Sequence, residues 1–222
     1  MSFDDILSNF IDKCYEDLTW RKKELMDLKS GLKPLKKLNQ EEFNFFKRGS
    51  IALTYAHLEG GVKNLFITYI NFINELLDKG LLSLEKNNID KVVLDLIFFD
   101  KIKVFAQNTK EKRLKGLQYC KKFFVDKEVI KIESKLINTK SNMNFKVLKE
   151  IYKLVNLNMN ENISINKKFI DQLVNRRNAI AHGENSSDDI EIVIENIDKV
   201  LMILGLVKYD IEEGMKKFKD IV

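Results

Sequence analysis

Proline and glycine are scarce in this sequence, which has one proline and nine glycines among 222 residues. Both residues interrupt helices, proline because it lacks a backbone N–H and glycine because its backbone is so flexible. Their scarcity argues against a fold rich in tight turns and predicts long helices joined by short connections. With 45% hydrophobic and 32% charged residues, the chain has a soluble, globular composition and enough length for a well-buried core.

Cysteine and histidine are also rare, with two of each. Cys14 and Cys120 are far apart in the sequence and have no metal-binding spacing, so we interpret them as reduced core thiols of a cytosolic protein. The histidines and cysteines show no zinc spacing, and no cluster of carboxylates indicates a metal-dependent nuclease. Glycine loops that cradle phosphates and the Gly-x-Ser-x-Gly elbow are missing as well. We therefore expect neither a metal nor a cofactor.

No hydrophobic run approaches the roughly 18 residues of a membrane-spanning helix. The first residues, MSFDDILSNF, are acidic and lack the pattern of a signal peptide. We therefore expect a cytoplasmic protein that has no membrane partner. Its net charge of +5 is compatible with a polyanionic partner, but no block of five or more like charges forms a basic tail.

Apolar residues recur at helical spacing through most of the chain. A first helix is predicted within residues 1–35, where Trp20 is expected to be a packing anchor. A very long helical pattern then runs to Lys79, and Asn39 with Glu42 resembles a capping box at its start.

The middle of the chain is harder to interpret. Residues 89–105 are β-branched enough to suggest a strand, but their helical neighbours favour a helix. Lysines of the amphipathic segment 110–135 are interpreted as a solvated face, with contact to nucleic acid as the alternative. Further helices are predicted over residues 145–155, before Gly183, and from about residue 187 or 188 onwards. The prediction is one all-α domain over residues 1–222, an up-down bundle of long helices with an N-terminal helix (1–35) and a core (40–215).

The most informative stretch is 171–185, DQLVNRRNAIAHGEN, in which four residues separate Arg177 from His182. On a helical wheel Arg177 falls in the middle of an apolar face. That face is formed by Leu173, Val174, Ile180 and Ala181. A guanidinium there needs an acidic partner, a second subunit or a ligand. Glu59, at the border of the apolar stripe of the second helix, is the expected partner of Arg177, with an ordinary solvated glutamate as the alternative.

Several segments together resemble a known superfamily. The segment RNAIAHGE resembles the Arg-polar-x-x-x-His signature of HEPN domains (higher eukaryotes and prokaryotes nucleotide-binding domains). Residues 51–73, IALTYAHLEGGVKNLFITYINFI, resemble the long-helix signature of the bacterial MAE-type HEPN family, with Leu58 in place of the usual aromatic residue. Residues 141–157 and 167–184 are similar to that family in order and spacing. The resemblance covers about residues 40–210.

The resemblance implies an all-α domain that forms a symmetric homodimer and acts as a metal-independent endoribonuclease. Arg177 and His182 carry over as the catalytic motif residues, and Asn178 as the polar residue that follows the arginine. Arg176 fits a spacing longer by one residue, but the wheel places Arg177 on the inward face, so Arg176 is assigned to substrate binding. Glu59 joins Asn178 as a supporting residue.

Metal-free cleavage of RNA needs a base for the proton of the 2′-hydroxyl, an acid for the departing 5′-oxygen and a cation for the charge growing on phosphorus. Histidine titrates near neutral pH, and the guanidinium fork matches phosphate geometry. One arginine and one histidine cannot readily fill all these roles, whereas a symmetric dimer supplies two of each. Participation of the 2′-hydroxyl predicts RNA rather than DNA as the substrate, with 2′,3′-cyclic phosphate ends.

Three hypotheses follow for the function. The first is a HEPN ribonuclease that acts as a toxin or anti-phage effector and is controlled by an antitoxin or another regulatory protein. The second is a non-catalytic module that holds a nucleotide or a protein partner in the same cleft. The third is a purely structural helical dimer, in which Arg177 pairs with Glu59 inside one chain.

Overall fold

The computed structural model describes residues 1–37, 43–83, 93–97, 110–126, 128, 131–184 and 188–222, and within these ranges it contains helices and no strand. The α-helices are α1 (Phe3–Leu32), α2 (Asn44–Asp78), α3 (Lys110–Phe124), α4 (Phe145–Leu154), α5 (Glu161–Ile165), α6 (Lys167–Ala181) and α7 (Ile190–Lys216). Residues 93–97 are helical too, and short 3-10 helices occupy Lys33–Lys37, Ser134–Leu136 and Lys217–Asp220. The prediction of an all-α fold is confirmed.

Side-chain caps mark the starts of some of the helices, whereas α6 and α7 begin after Asn166 and Asp189 without a side-chain capping bond. Ser2 caps α1 in a capping box with Asp5, and the Asn144 side chain accepts a hydrogen bond from the Val147 N–H at the start of α4. The predicted capping box of Asn39 and Glu42 lies outside the described residues. The helix predicted over 89–105 is confirmed for 93–97, and the rest of it also lies outside the described residues.

The first helix runs antiparallel to both of the other long helices. Its start meets the C-terminal end of the chain through Asp4 and Lys219, and its end meets the start of α7 through Lys29 and Asp198. Against α2, the side chain of Asn64 donates to Asp17, whereas the ring of Phe10 packs on Phe72 about two helical turns away. Helices α2 and α7 are therefore parallel to each other, with α1 running in the opposite direction, and this agrees with the predicted bundle of long helices.

Polar contacts fix the shorter segments on this frame. Both the N–H and the carbonyl of Ile132 bond to the Asn74 side chain on α2. Buried Asp210 on α7 accepts the hydroxyl of Tyr152 at 2.7 Å and the backbone N–H of Asn160 at 2.9 Å. Because a buried carboxylate without partners is costly, these bonds hold α4 and the start of α5 in one position on α7. Burial raises the pKa of Tyr152, which stays a hydrogen-bond donor.

The two cysteines and Trp20 were all expected to be packed side chains, and they differ in how far they are buried. Both cysteines are free thiols; Cys14 is buried and Cys120 is only half-buried. Burial raises the pKa of the Cys14 thiol to about 12, so this thiol stays protonated. Trp20, expected to be a packing anchor, is 48% exposed and therefore packs only in part. Its ring packs against Arg21 of α1 and His57 of α2, two polar side chains at the contact between these helices.

That polar contact depends on the two adjacent glycines of α2. Arg21 is only 5% exposed, and its guanidinium bonds to Asp17 while it lies against Gly60. A Cβ atom on Gly61 would lie 2.6 Å from Cδ2 of Leu204 and 3.3 Å from Cδ of Arg21. Helix α2 is continuous through both glycines, and their lack of a side chain lets α1 and α7 approach it closely.

Two substitutions on α2 test this packing. Gly61→Val is expected to lower the free energy of unfolding by about 1–3 kcal/mol, because its branched side chain overlaps Leu204 in a closely packed contact. Gly49→Ala is the matched control in the same helix, since no atom lies within 4 Å of an added Cβ. It should raise that free energy by about 0.5–1 kcal/mol through helix propensity alone. Urea unfolding of both variants measures the difference, and equal effects of the two would contradict the packing argument.

Candidate active site

Helix α6 carries the Arg-x4-His segment and packs against α2 through its apolar side. Leu173 and Val174 are buried, as the helical wheel predicts. The helix ends in a Schellman motif: Gly183 has a φ of +81°, its N–H bonds to Ile180, and the N–H of Glu184 bonds to Ala179. Glycine adopts this conformation without strain, so the end of α6 is fixed at the residue before it.

Arg177 lies where α6 meets α2 and the loop before α4. Its Cζ is 4.3 Å from the centroid of the Tyr55 ring, and its Nη2 donates to the carbonyl oxygen of Ser141 at 2.7 Å. The same Nη2 is 3.6 Å from Oε2 of Glu59, so the predicted ion pair is present. The side chain of Arg177 is nevertheless 24% exposed, and that of Glu59 is 19% exposed. Part of the guanidinium can therefore still reach a ligand.

The side chains that contact Arg177 are fixed by hydrogen bonds of their own. Tyr55 is buried, and its hydroxyl accepts the backbone N–H of Met143 at 2.7 Å. Burial raises the pKa of the Tyr55 hydroxyl, so the ring under Arg177 stays neutral. Glu59 accepts a hydrogen bond of 2.6 Å from the hydroxyl of Thr139. This network sets the position of the guanidinium before any ligand binds.

The loop that supplies the Ser141 carbonyl has an unusual backbone. Lys140 and Ser141 have φ angles of +56° and +51°, a region that residues other than glycine rarely adopt. The side chain of Asn138 accepts the N–H of Lys140, which helps to stabilise the turn. Two such residues in succession cost free energy, and they occur where the loop contacts Arg177. This location marks the loop as part of the candidate site.

The two neighbours of Arg177 have separate partners. Arg176 pairs with Asp188, just before α7, at 3.1 Å. The side chain of Asn178 donates to that of Asn142 at 3.1 Å. Arg177 therefore faces α2 and the loop before α4, as the wheel predicts, whereas Arg176 pairs with a residue just before the last helix.

His182 is the C-cap of α6 and is exposed. Among the described residues, no hydrogen bond, ion pair or ring contact involves its imidazole. The five residue steps from Arg177 to His182 correspond to a rise of about 7.5 Å along the helix and a rotation of about 140° around it. One chain therefore presents the two side chains on different sides of α6.

Some members of the site had no signal in the sequence, and one prediction on α6 is wrong. Ala181 is exposed rather than buried with the apolar face, because the helix has already passed the edge of α2. Thr139, Ser141 and Met143 contribute through a loop far from α6 in sequence, which periodicity cannot detect. For Tyr55, the one available signal was its spacing of four residues from Glu59 on α2.

Two further features concern the described part of the chain. Within it, no group of three or more histidine, cysteine, aspartate or glutamate side chains is placed to hold a metal ion. The helices described there include none that combines the length and the apolar character needed to cross a membrane.

The helical bundle and the Arg-x4-His segment at the end of an inner helix together define an all-α protein of the HEPN type. The family model RiboL-PSP-HEPN matches residues 16–213, and the chain belongs to this family. The match confirms the HEPN superfamily and associates the chain with RNase or other RNA-related activity, but it does not confirm the MAE-type subfamily. No curated protein and no solved structure is significantly similar to the chain.

Proposed function

We propose that this chain is a metal-independent endoribonuclease that uses Arg177 and His182 for cleavage, at an interface between two copies of the chain. The observation that carries the proposal is the difference between the two side chains. Arg177 is fixed by Tyr55, Ser141 and Glu59 with part of its side chain exposed, whereas His182 is exposed and has no hydrogen bond, ion pair or ring contact with described residues. A fixed cation and a free imidazole are the two groups that acid–base cleavage of a phosphodiester needs.

In the proposed reaction, the 2′-oxygen attacks the adjacent phosphorus and the bond from phosphorus to the 5′-oxygen breaks. One histidine takes the proton of the 2′-hydroxyl, and the histidine of the second copy gives a proton to the departing 5′-oxygen. Arg177 stabilises the charge on the phosphoryl oxygens. The products are a 2′,3′-cyclic phosphate and a 5′-hydroxyl. The rotation of about 140° between Arg177 and His182 on one helix supports the need for a second copy.

The proposal is tested with purified protein and a short single-stranded RNA in the presence of EDTA. We expect cleavage that leaves 2′,3′-cyclic phosphate ends, identified by mass spectrometry. The matched control is the same oligonucleotide with a single 2′-deoxy residue at the cleavage position, which should not be cleaved there. Cleavage of this control at the same bond, or a strict need for added divalent metal, would overturn the mechanism.

We further propose that the activity serves as a toxin or an anti-phage effector and that an antitoxin or other regulatory protein controls it. Expression of the wild-type chain in bacteria should then stop growth and degrade RNA, whereas a folded variant without the imidazole should not. Equal growth with both would contradict this role without affecting the cleavage assay.

The ion pair of Arg177 with Glu59 favours a second candidate function. Because the carboxylate already compensates the guanidinium, the same site could hold a nucleotide or a protein partner without cleaving it. Binding of RNA without any product in the EDTA assay favours this non-catalytic module. In the purely structural hypothesis the pair is buried, but both side chains remain partly exposed.

The end of α6 allows a further test through its geometry. Gly183→Val is expected to lower cleavage about 10- to 100-fold, because a residue that avoids positive φ shifts His182. Gly80→Val is the matched control: Gly80 has a φ of +62° and ends α2 in the same kind of motif. Each change should lower the free energy of unfolding by about 1–2 kcal/mol. Only the variant at residue 183 should lose activity, measured as initial rates at saturating RNA, and equal losses would count against a positioning role.

A further inference from the structure

A cleft of about 590 Å³ opens between the start of α4 and the outer face of α6. It is lined by Asn144, Phe145, Lys146, Lys149, Lys167, Asp171 and Asn175. Its volume lies within the range of sites that bind small molecules or one nucleotide. Three lysines, an aromatic ring and only one carboxylate make it basic, so its lining favours an anion that also carries a planar group.

The cleft joins the candidate active site along one helix face. Lys167, Asp171 and Asn175 follow one another at a spacing of four residues on α6. Asn178 and His182 lie further along the same face of α6. At 100° per residue, these two residues and the three before them fall within a sector of about 80°. From Lys167 to His182 the rise is about 22 Å. A single strand lying along this face would thus reach both the cleft and the imidazole.

The loop before α4 forms one side of this path. Ser141 contacts Arg177 and Asn142 contacts Asn178, and one to two turns further along α6 the carboxylate of Asp171 accepts the backbone N–H of Phe145. This carboxylate is therefore already used at the N-terminus of α4, and the lysines supply the charge for an incoming anion.

The lysines of the cleft differ from many other lysines of the chain. No described acidic side chain lies within ion-pairing distance of Lys146, Lys149 or Lys167, whereas nearby Lys140 pairs with Glu150. The Nζ atom of Lys167 is 5.9 Å from the centroid of the Phe145 ring. Unpaired ammonium groups around a half-buried ring form the combination that binds phosphates and stacks a base.

We propose that this cleft is a subsite for single-stranded RNA beside the cleavage position. Lys146, Lys149 and Lys167 contact the phosphates, and Phe145 stacks on one base. This inference rests on the proposed function for its substrate class, but binding can be measured without cleavage. The subsite therefore makes predictions that stand apart from the catalytic ones.

The test measures the affinity for a fluorescent single-stranded RNA by anisotropy, in a His182→Ala background so that no RNA is consumed. Replacing the three lysines by alanine should weaken binding about 10- to 100-fold at 0.1 M salt. It should also reduce the slope of log affinity against log salt by about 2, because each phosphate contact on a single strand contributes about 0.7. The control replaces the exposed Lys22, Lys23 and Lys217, which lie on α1 and at the C-terminal end. Similar losses in both triple variants would overturn the subsite.

A second arm tests the stacking. Phe145→Leu keeps an apolar side chain and should weaken binding roughly 5- to 100-fold, whereas Phe45→Leu, at an exposed phenylalanine of α2, should change little. If polyglutamate displaces the RNA at matched charge and Phe145→Leu has no effect, the cleft is a site for an acidic protein and the RNA assignment is wrong.

The two proposals fail in different ways. If RNA binding depends on the three lysines but the chain never cleaves RNA, the subsite is supported and the ribonuclease proposal is wrong. If cleavage and binding stay normal after the three lysines are replaced, the subsite proposal is wrong and the ribonuclease proposal stands.

Discussion

His182→Ala is expected to abolish RNA cleavage, with a loss of about 10²–10⁴-fold in the rate. The imidazole is exposed and has no hydrogen bond, ion pair or ring contact with the described residues, so its removal should leave the packing of α6 unchanged. The free energy of unfolding should therefore stay within about 0.5 kcal/mol of that of the wild type. Single-turnover cleavage of RNA in EDTA, together with urea unfolding of the same preparation, measures both quantities.

The sequence provides one matched control, because it contains only one other histidine. His57 is buried at 3% exposure, and its Nε2 lies 3.0 Å from a carboxylate oxygen of Glu24. Burial lowers the pKa of His57, so it is a neutral packing residue at pH 7. His57→Gln should lower stability and leave the rate of cleavage per folded chain unchanged. A folded His182→Ala protein that still cleaves at the wild-type rate would remove His182 from the mechanism.

His182 is exposed and His57 is buried, and the sequence predicts only the first of these positions. The place of His182 followed from local rules, since glycine after a periodic apolar run ends a helix. The burial of His57 did not, because its neighbours on α1 are more than 30 positions away. Glycines at residues 60 and 61 let α1 come close enough to cover this ring, and only the pairing of the helices reveals that. Trp20, expected to be a packing anchor, packs only in part, against Arg21 and His57.

Long helices were the most predictable part of the fold. Helices α1 and α7 each bury one apolar stripe over many turns, and α2 buries residues on several sides along its length, so the periodic pattern is strong in all three. The helical wheel singled out Arg177 as a cation on an apolar face, and the family resemblance then supplied the roles expected of Arg177 and His182. The loop around Ser141 was beyond prediction, because its role depends on two residues with positive φ and on contacts across the chain.

The candidate site combines residues that match the family motif with residues that no motif marks. The side chains that resemble the family motif lie on one helix, but the groups that orient the arginine come from α2 and from the loop before α4. Substitutions in that loop should therefore affect activity, although no motif marks them. Arg177 is the point at which the motif and its surroundings can be tested together.

Arg177→Lys is expected to lower the rate of cleavage by about 10²–10³-fold, although the charge is kept. A guanidinium can stack on Tyr55, donate to Ser141 and still offer N–H groups to a phosphate, because its five donors form a planar fork. An ammonium group cannot do all three. Its more flexible chain would pair with Glu59 or with the phosphate, and the transition state would lose a fixed donor. Single-turnover rates at saturating RNA isolate this effect from binding.

The adjacent arginine is the matched control, because Arg176 differs by one position and pairs with Asp188 instead. Arg176→Lys keeps a cation beside Asp188, and partly exposed pairs contribute only about 0–1 kcal/mol, so its rate should fall less than about tenfold. This comparison also decides which arginine is the motif residue. If Arg176→Lys shows the larger loss, the longer spacing to His182 is the functional one. The inward placement of Arg177 would then serve the packing of α6 on α2 rather than the chemistry.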